Sequence, residues 1–368
     1  MKIECSQKIL KDALNAVTKS GASRTTMPIL EGVLLEAENG ILKLTTNDLE
    51  TGREYTMECT VLEEGKTVVD KKMFTMIIER LIGDISLELN NDIFTIKSMG
   101  SVYNLATMNP SEYPRLPFFN VESSVTLPQG VFKDLIRKTS FAVSLDENRP
   151  VYTGELVKIE NNILTIVAID GFRLALKKYL LEKETNDFKA IVPGKVLNDI
   201  VSQLKDDDSE ITIGINKNKA IFEIGKYIVV SRLIDGEFLN YTNIIPAEKE
   251  TCVEVRTKEL LEAFERVALF SRASIEKDKK SSIKMNINMD GIVLSCNSQT
   301  GDAKEEVNAM ITGKQLEIGF NPNYMIEALK CIEDEVIRLN FLSNITPVTI
   351  NPVNGNEYIY IVLPVRGR

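Results

Sequence analysis

The sequence predicts an α+β protein made of three tandem copies of one domain, and two repeated helical patterns carry that prediction. The first recurs in residues 5–20, 127–144 and 255–271, with steps of 122 and 128 residues between Glu4, Thr126 and Glu254. The second recurs, in the same order, as VDKKMFTMIIERL, VPGKVLNDIVSQL and FNPNYMIEALKCI. Repeats of about 20–50 residues indicate solenoids or propellers, whereas a much longer period indicates repeated whole domains.

Each copy is predicted to contain two helices and several strands. In the first helix the apolar positions form one stripe of 3.6-residue period, which predicts a buried face made of Ile9, Leu10, Ala13, Leu14 and Val17. Between the helices lie short runs rich in β-branched residues.

Turn residues join those runs at 38–40, 90–92 and 216–219, which predicts antiparallel hairpins. Strands in blocks, with only two helices per copy, favour an α+β over an α/β fold. Proline-bearing connectors separate the copies, and we place the domains at residues 1–121, 122–247 and 248–368.

The composition is that of an ordinary globular protein, with 43% hydrophobic and 26% charged residues. A net charge of −9 argues, taken alone, against a nucleic-acid partner. Five widely spaced cysteines without a C-x-x-C pair favour a reduced protein without a zinc ribbon. No signal peptide and no apolar run of about 18 residues is recognisable, so we expect a cytoplasmic protein without a membrane partner.

The chain contains no histidine, which excludes a Ser–His–Asp triad, a Cys–His pair and a histidine zinc site. Asp170 with Arg173, or Asp146 with Glu147, offers a possible carboxylate site. No phosphate loop, nucleophile elbow or metal-ligand spacing accompanies them, and Asp170 is more simply a turn residue. We therefore expect no enzymatic activity, no cofactor and no metal.

The predicted helices are basic overall, while the rest of the chain is acidic. If all six helices share one side of the molecule, that side is basic. The alternative is that lysine and arginine are good helix formers and collect in helices for that reason. The first helix of the third copy weakens the signal, since it carries more acidic than basic residues.

Three segments make the chain resemble a known family. They are TMPILEGVLLEA after the first helix, the A-x-D-G-x-R-L-A segment at 168–175, and the terminal V-L-P-V-R at 362–366. With the three copies, they resemble the bacterial DNA polymerase III beta sliding clamp family over the whole chain. The resemblance implies a ring of two head-to-tail protomers, with helices lining the hole and sheets outside. It also implies that duplex DNA passes through the ring without sequence readout.

The resemblance further implies partners and contact residues. Besides DNA and a second copy, the partners would be the DNA polymerase alpha subunit, the clamp loader and repair proteins, bound through short motifs of the Q-L-x-L-F type. The implied DNA contacts are Arg24, Lys72, Arg137, Lys138, Arg149 and Lys195. For any one of them, a solvated surface charge is the alternative.

The family's peptide-binding pocket would lie between the second and third copies. Its implied wall consists of Ile169, Gly171, Phe172, Arg173, Leu174, Leu176, Leu239, Asn243, Ile244, Asn321, Tyr324, Ile345, Pro347, Val362, Leu363, Pro364, Val365 and Arg366. Phe172 replaces a histidine that many members carry, and Gly367 with Arg368 extends beyond their terminal arginine. An apolar cleft with a few oriented polar groups suits an extended peptide.

The implied dimer interface pairs a strand edge of the first copy with one of the third. Its residues would be Lys97, Tyr103, Leu105, Leu269, Phe270, Glu305 and Glu306. Gly100 and Val102 stand where basic residues are common, so we expect closure to rely on apolar burial. The alternative function is a non-catalytic repeat scaffold that binds protein peptides without DNA.

Overall fold

The computed structural model describes residues 1–18, 27–116, 120–272, 282–299 and 301–365. They form two compact units, each made of two stretches of chain. The first unit is residues 1–133 with 195–233, and the second is 134–194 with 234–368. The middle repeat is divided between the units, so this division does not follow the three repeats, and the predicted domain boundaries stay a prediction.

The order of elements follows the three repeats. The first repeat contains β1 (Lys2–Ser6), α1 (Gln7–Thr18), β2 (Gly32–Glu38), β3 (Ile41–Asn47), β4 (Thr51–Glu58), β5 (Thr60–Glu63), β6 (Gly65–Asp70), α2 (Lys71–Arg80), β7 (Asp84–Asn90), β8 (Ile93–Ser98) and β9 (Ser101–Met108). The second contains β10 (Ser123–Pro128), α3 (Gln129–Arg137), β11 (Gly154–Glu160), β12 (Ile163–Ile169), β13 (Arg173–Leu180), β14 (Phe188–Pro193), α4 (Gly194–Val201), β15 (Glu210–Ile215), β16 (Lys219–Ile224) and β17 (Tyr227–Arg232). The third contains β18 (Thr251–Arg256), α5 (Thr257–Arg272), β19 (Ile283–Asn288), β20 (Gly291–Ser298), β21 (Gly301–Val307), β22 (Ala309–Gly313), β23 (Leu316–Phe320), α6 (Pro322–Lys330), β24 (Val336–Phe341), β25 (Val348–Pro352) and β26 (Tyr358–Val362).

The six predicted helices are confirmed, and most of them end a few residues before the C-terminal end predicted from the sequence. Helix α4, for example, ends at Val201 although its sequence pattern continues to 205. The amides of Gln203 and Leu204 bond carbonyls three residues back, so the last turn tightens and leaves the α-helical geometry. The buried stripe of α1 is confirmed except at Ile9, whose side chain is 48% exposed because it lies at the margin of the stripe.

The first unit is organised by a thirteen-stranded antiparallel sheet. Its order is β10-β15-β16-β17-β4-β3-β2-β6-β9-β8-β7-β1-β5. The pairing of β17 with β4, Tyr227 opposite Tyr55, joins the middle repeat to the first in one ladder. Helices α1 and α2 pack together, and Phe74 of α2 meets Phe94 of β8 edge to face at 5.7 Å.

The second unit contains a nine-stranded and a four-stranded sheet. The orders are β14-β11-β12-β13-β26-β25-β24-β18-β22 and β21-β20-β19-β23. The pairing of β13 with β26 joins the middle repeat to the third, with Arg173 opposite Val362 and Lys177 opposite Tyr358. Helices α5 and α6 pack against each other over the third repeat's core, where Phe264, Met325 and Leu329 are buried.

The predicted hairpins are confirmed, and their turns have the expected chemistry. Asn39 (φ 51°) and Gly40 (φ 76°) connect β2 to β3, and Asn161 (φ 51°) and Asn162 (φ 61°) connect β11 to β12. Two consecutive residues of positive φ match the right-handed twist of the flanking strands, which favours asparagine and glycine. Among the described residues, no helix is both long enough and apolar enough to span a bilayer.

One carboxyl group is completely buried in the second unit. Glu155 of β11 is 0% exposed, and its Oε2 lies 2.5 Å from Thr139 Oγ1. Thr139 Oγ1 also lies 2.9 Å from the Leu135 carbonyl, to which it can donate while a protonated Glu155 donates to it. Burial raises the pKa of Glu155 to about 8, although the hydrogen bond with Thr139 acts in the opposite direction. The carboxyl is therefore mostly protonated near neutral pH.

We expect Glu155→Gln to stabilise the protein relative to wild type as pH rises from about 4.5 to about 8. The folded state holds this proton more tightly than the unfolded state, so the wild type loses stability over that interval and the amide does not. The difference in unfolding free energy should grow by at most about 1.4 kcal/mol per pH unit and level off above the folded pKa. Urea unfolding at several pH values measures it, with exposed Glu184→Gln as control. Parallel pH profiles for wild type and Glu155→Gln would contradict the assignment.

Candidate binding groove, sheet edges and basic side chains

The turn between β12 and β13 is held by Asp170. Its Oδ1 accepts hydrogen bonds from the amides of Phe172 (2.8 Å) and Arg173 (3.0 Å). Gly171 adopts a φ of +94°, a conformation that side-chain-bearing residues rarely adopt. The turn therefore projects Phe172 outward, and this aromatic side chain is 58% exposed.

Arg173 follows this turn and is buried, and we call the surface formed around it by Phe172, Tyr324 and the segment after β26 the groove around Arg173. Its guanidinium pairs with Asp170 (Nε–Oδ2, 3.0 Å) and with Glu327 of α6 through Nη1. It also lies over two aromatic rings, 4.7 Å from the centroid of Tyr324 and 5.4 Å from that of Phe141. Because the ion pairs and rings fix its position, Arg173 is a rigid polar group in an apolar setting.

Phe172 and Tyr324 form one aromatic wall of the groove. Their ring centroids lie 5.9 Å apart with an interplanar angle of 18°. Burial raises the pKa of the Tyr324 hydroxyl, and nearby Asp170 adds to the shift while Arg173 opposes it. This wall is therefore uncharged near neutral pH and presents an apolar face to a ligand.

The opposite wall is the segment after β26. The Leu363 amide donates to the Phe172 carbonyl (2.9 Å), and the Val365 amide donates to the Gly319 carbonyl (2.8 Å). The segment thus bridges the turn before β13 and strand β23 of the other sheet, and the side chains of Leu363 and Val365 are partly exposed.

The predicted pocket residues divide into a buried layer and a surface layer. The buried layer comprises Ile169, Arg173, Leu174, Leu176 and Val362. The more accessible side chains are Phe172, Leu239, Asn243, Ile244, Asn321, Tyr324, Ile345, Pro347, Leu363, Pro364 and Val365. Asn321 also caps α6 through its Oδ1, and Arg366, Gly367 and Arg368 lie outside the described residues.

The sequence did not identify three side chains at this groove. Phe141 underlies Arg173, and Glu327 holds its guanidinium. Arg149, predicted as a DNA contact, has its Nη1 3.6 Å from where a Gly171 Cβ would lie, so it reaches the groove's rim. Of these three, only Glu327 could have been predicted from the sequence: it follows Tyr324 by three residues, so both lie on one face of the same helix.

The predicted DNA-contacting residues have different environments. Lys72, Arg137, Arg149 and Lys195 are exposed, the first and the last of these in the opening turns of α2 and α4. Arg24 lies outside the described residues.

Lys138 has a structural role that competes with its predicted one. Its Nζ pairs with Asp134 (2.7 Å) and Glu333 (3.1 Å). Burial lowers the pKa of Lys138, but the bonds with these carboxylates outweigh it and the net shift is upward. A phosphate would have to displace carboxylates that already neutralise this ammonium.

Two strand edges carry the predicted interface residues. Beyond the short pairing with β6 at Thr107 and Met108, β9 pairs only with β8 among the described residues, and Val102 and Tyr103 on it are exposed. In the second unit, β21 pairs only with β20 among the described residues. Beside it Leu269 is 63% exposed, and the ring of Phe270 covers Gly301.

The charged interface residues already have partners within their own unit. Lys97 pairs with Glu88 (3.1 Å), Glu305 with Arg266 (2.9 Å) and Glu306 with Lys304 (2.8 Å). Hydrogen bonds from Arg266 and Lys304 lower the pKa values of Glu305 and Glu306, respectively. Apolar side chains at or beside these edges, Val102, Tyr103 and Leu269, are exposed, whereas the charged ones are paired.

Comparison with known proteins matches the whole architecture. Models of the DNA polymerase III beta subunit match in chain order: the N-terminal domain at residues 1–117, the central domain at 126–240 and the C-terminal domain at 242–366. The beta sliding clamp of Halalkalibacterium halodurans is 34% identical, with 96% of each chain covered.

Solved structures agree over the full length of both chains. The DNA polymerase sliding clamp of Bacillus subtilis superposes with a TM-score of 0.95 at 30% identity. A putative DNA polymerase III beta subunit from Eubacterium rectale gives 0.94 at 32% identity. The fold and the order of its repeats define a protein of three tandem clamp domains. The chain belongs to the DNA polymerase III beta subunit family.

Proposed function

We propose that this chain is a DNA sliding clamp: two copies close head to tail around duplex DNA and tether the replicative polymerase, giving processivity. The observation that carries the proposal is the match of all three family domains, in order, from residue 1 to residue 366. The protein acts by enclosure and binding, without catalysis, cofactor or metal.

Enclosure explains how an acidic protein works on DNA. A closed ring retains the duplex topologically, so few phosphate contacts are needed, and tight ones would slow sliding. The net charge of −9 disfavours DNA outside the ring. We assign the modest attraction inside the ring to Arg24, Lys72, Arg137 and Lys195. Lys138 is a weaker candidate because of its two carboxylate partners, and Arg149 is a weaker candidate because it reaches the rim of the groove around Arg173.

The groove around Arg173 is the proposed docking site for the polymerase alpha subunit, the clamp loader and repair proteins. Its aromatic wall and the segment after β26 offer apolar surfaces to an extended peptide of the Q-L-x-L-F type. The guanidinium of Arg173 is buried and holds Asp170 and Glu327, so a peptide carbonyl or carboxylate would have to compete with these two carboxylates for it.

Ring closure is proposed to join β9 of one protomer to β21 of the other. Strand β9 exposes Val102 and Tyr103, and the edge of β21 lies beside exposed Leu269 of α5; folded proteins normally cover such edges. Tyr103 and Leu105 of one protomer would contact Leu269 and Phe270 of the other. Lys97, Glu305 and Glu306 would exchange or share the ion-pair partners that they have within their own unit.

We expect the double variant Phe172→Ala, Leu363→Ala to bind a fluorescein-labelled Gln-Leu-Ser-Leu-Phe peptide at least about tenfold more weakly, because it removes an anchor surface from each wall. Fluorescence polarisation measures the affinity. Leu180→Ala is the matched control, since this leucine is also exposed on β13 but at its far end. Wild-type affinity in the double variant would place the peptide elsewhere.

We expect Leu269→Asp to convert the dimer into folded monomers, because a carboxylate would be buried without a partner when the edges meet. Sedimentation velocity gives the mass and thermal unfolding confirms the fold. Leu145→Asp, at a side chain that is 96% exposed outside both edges, should leave the dimer intact. A dimer that persists in Leu269→Asp refutes the interface assignment.

Retention on DNA should depend on topology. A protein held by 6 to 10 phosphate contacts loses about 10³ to 10⁵ in affinity between 50 and 200 mM salt. Loaded onto nicked circular DNA by an ATP-driven loader, this protein should instead survive a high-salt wash and be released when the circle is cut. Gel filtration of the DNA-bound fraction measures retention. Equal retention on open linear DNA would favour the alternative of a peptide-binding scaffold that does not encircle DNA.

A further inference from the structure

A second groove lies in the second unit at the ends of four neighbouring strands. It has a volume of about 830 Å³ and crosses the C-terminal ends of β18 and β25 and the beginnings of β22 and β24. The first turn of α5 closes one side. We call it the strand-end groove, and the residues that matter here are Glu254, Arg256, Glu259, Met310, Glu335 and Val353.

The strand-end groove is separate from the groove around Arg173. Strand β26 connects the two regions: beyond its Val362 end lies the Leu363–Phe172 contact, whereas its Tyr358 end bonds Asp334, a lining residue of the strand-end groove. A five-residue strand spans about 13 Å. The two grooves therefore share no lining residue named here.

The lining combines an apolar surface with an acidic rim. Met310 is 75% exposed on β22, and Val353 and Val336 are partly exposed beside it. Among the described lining residues, the only cationic group is the guanidinium of Arg256, whereas there are four carboxylates, those of Glu254, Glu259, Asp334 and Glu335.

The ion pairs around the groove leave part of this negative charge uncompensated. Arg256 pairs with Glu259 at 2.9 Å, and Glu254 pairs with Arg338 at 2.7 Å. Within the described part of the chain, the Asp334 carboxylate accepts a hydrogen bond from the neutral hydroxyl of Tyr358 (2.8 Å) and forms no ion pair. Glu335 is exposed and forms no ion pair with any described residue within 4 Å.

The neighbouring strand edge suits an extended ligand. Strand β22 is the outer strand of the nine-stranded sheet, and in the described part of the chain it pairs with β18 alone. An extended segment can add to such an edge through its backbone while its side chains enter the adjoining groove.

We propose that the strand-end groove docks a basic, extended peptide segment of a partner protein, with one apolar side chain against Met310 and Val353 and flanking lysine or arginine side chains at Asp334 and Glu335. Charge complementarity selects this occupant: an acidic rim repels a nucleic-acid backbone and an acidic peptide, and it attracts a cationic one. The site would let the protein hold a second partner, or a second segment of one partner, while the groove around Arg173 is occupied.

The test uses the full-length protein and a fluorescein-labelled peptide of alternating lysine and leucine, with an alternating glutamate and leucine peptide for comparison. We expect saturable binding of the basic peptide alone by fluorescence anisotropy. Glu335→Lys should weaken that binding at least about tenfold, because it reverses a rim charge. Glu184→Lys makes the same charge change at an exposed glutamate outside the groove, and should alter binding less than about twofold.

Two further measurements separate this site from general acidity and from the first groove. Met310→Ala should weaken binding several-fold, whereas Met289→Ala, which truncates an equally exposed methionine in the same repeat, should not. Unlabelled Gln-Leu-Ser-Leu-Phe peptide should not displace the probe. The proposal would be overturned by any of four results. These are an equal loss of affinity in Glu335→Lys and Glu184→Lys, an equal loss in Met310→Ala and Met289→Ala, displacement of the probe by the Gln-Leu-Ser-Leu-Phe peptide, and no binding of the basic peptide at all. None of these outcomes bears on the sliding-clamp function.

Discussion

The backbone ladder between β13 and β26 is the interaction on which the functional face depends. It joins strands that are far apart in the chain, and it sets Arg173 opposite Val362 in a fixed register. Because side chains alternate across a strand, a slip by one residue would turn this arginine to the other face and separate it from Tyr324 and Glu327. The same ladder delivers the segment that forms the second wall of the groove.

Local features of the fold could be predicted from the sequence because their signals are local. Helical periodicity located all six helices, with errors at helix ends where the last turns tighten, and the turn residues at 38–40, 90–92 and 216–219 located three hairpins. Ile9 was wrongly predicted to be buried, because periodicity predicts which face of the helix is apolar better than how wide that face is.

The groove could be predicted only as a set of family positions, because its geometry comes from contacts between distant segments. Phe141 and Glu327 reach Arg173 across 32 and 154 residues of sequence, and no pattern along the chain relates them. Likewise, the pairing of Lys138 with Glu333 depends on how the ends of α3 and α6 come together. Counting the charges in each helix does not predict such a contact.

The place of β26 in the chain has a consequence for biosynthesis. The ribosome makes the chain from its N-terminus, so β26 is made after every other strand of the described residues. Until then, β13 keeps an unpaired edge and the turn at Phe172 has no second wall beside it. A nascent chain that lacks β26 therefore lacks the second wall of the proposed docking groove, even when its first two repeats have folded. Recruitment through the proposed groove therefore requires that β26 has been made and has paired with β13.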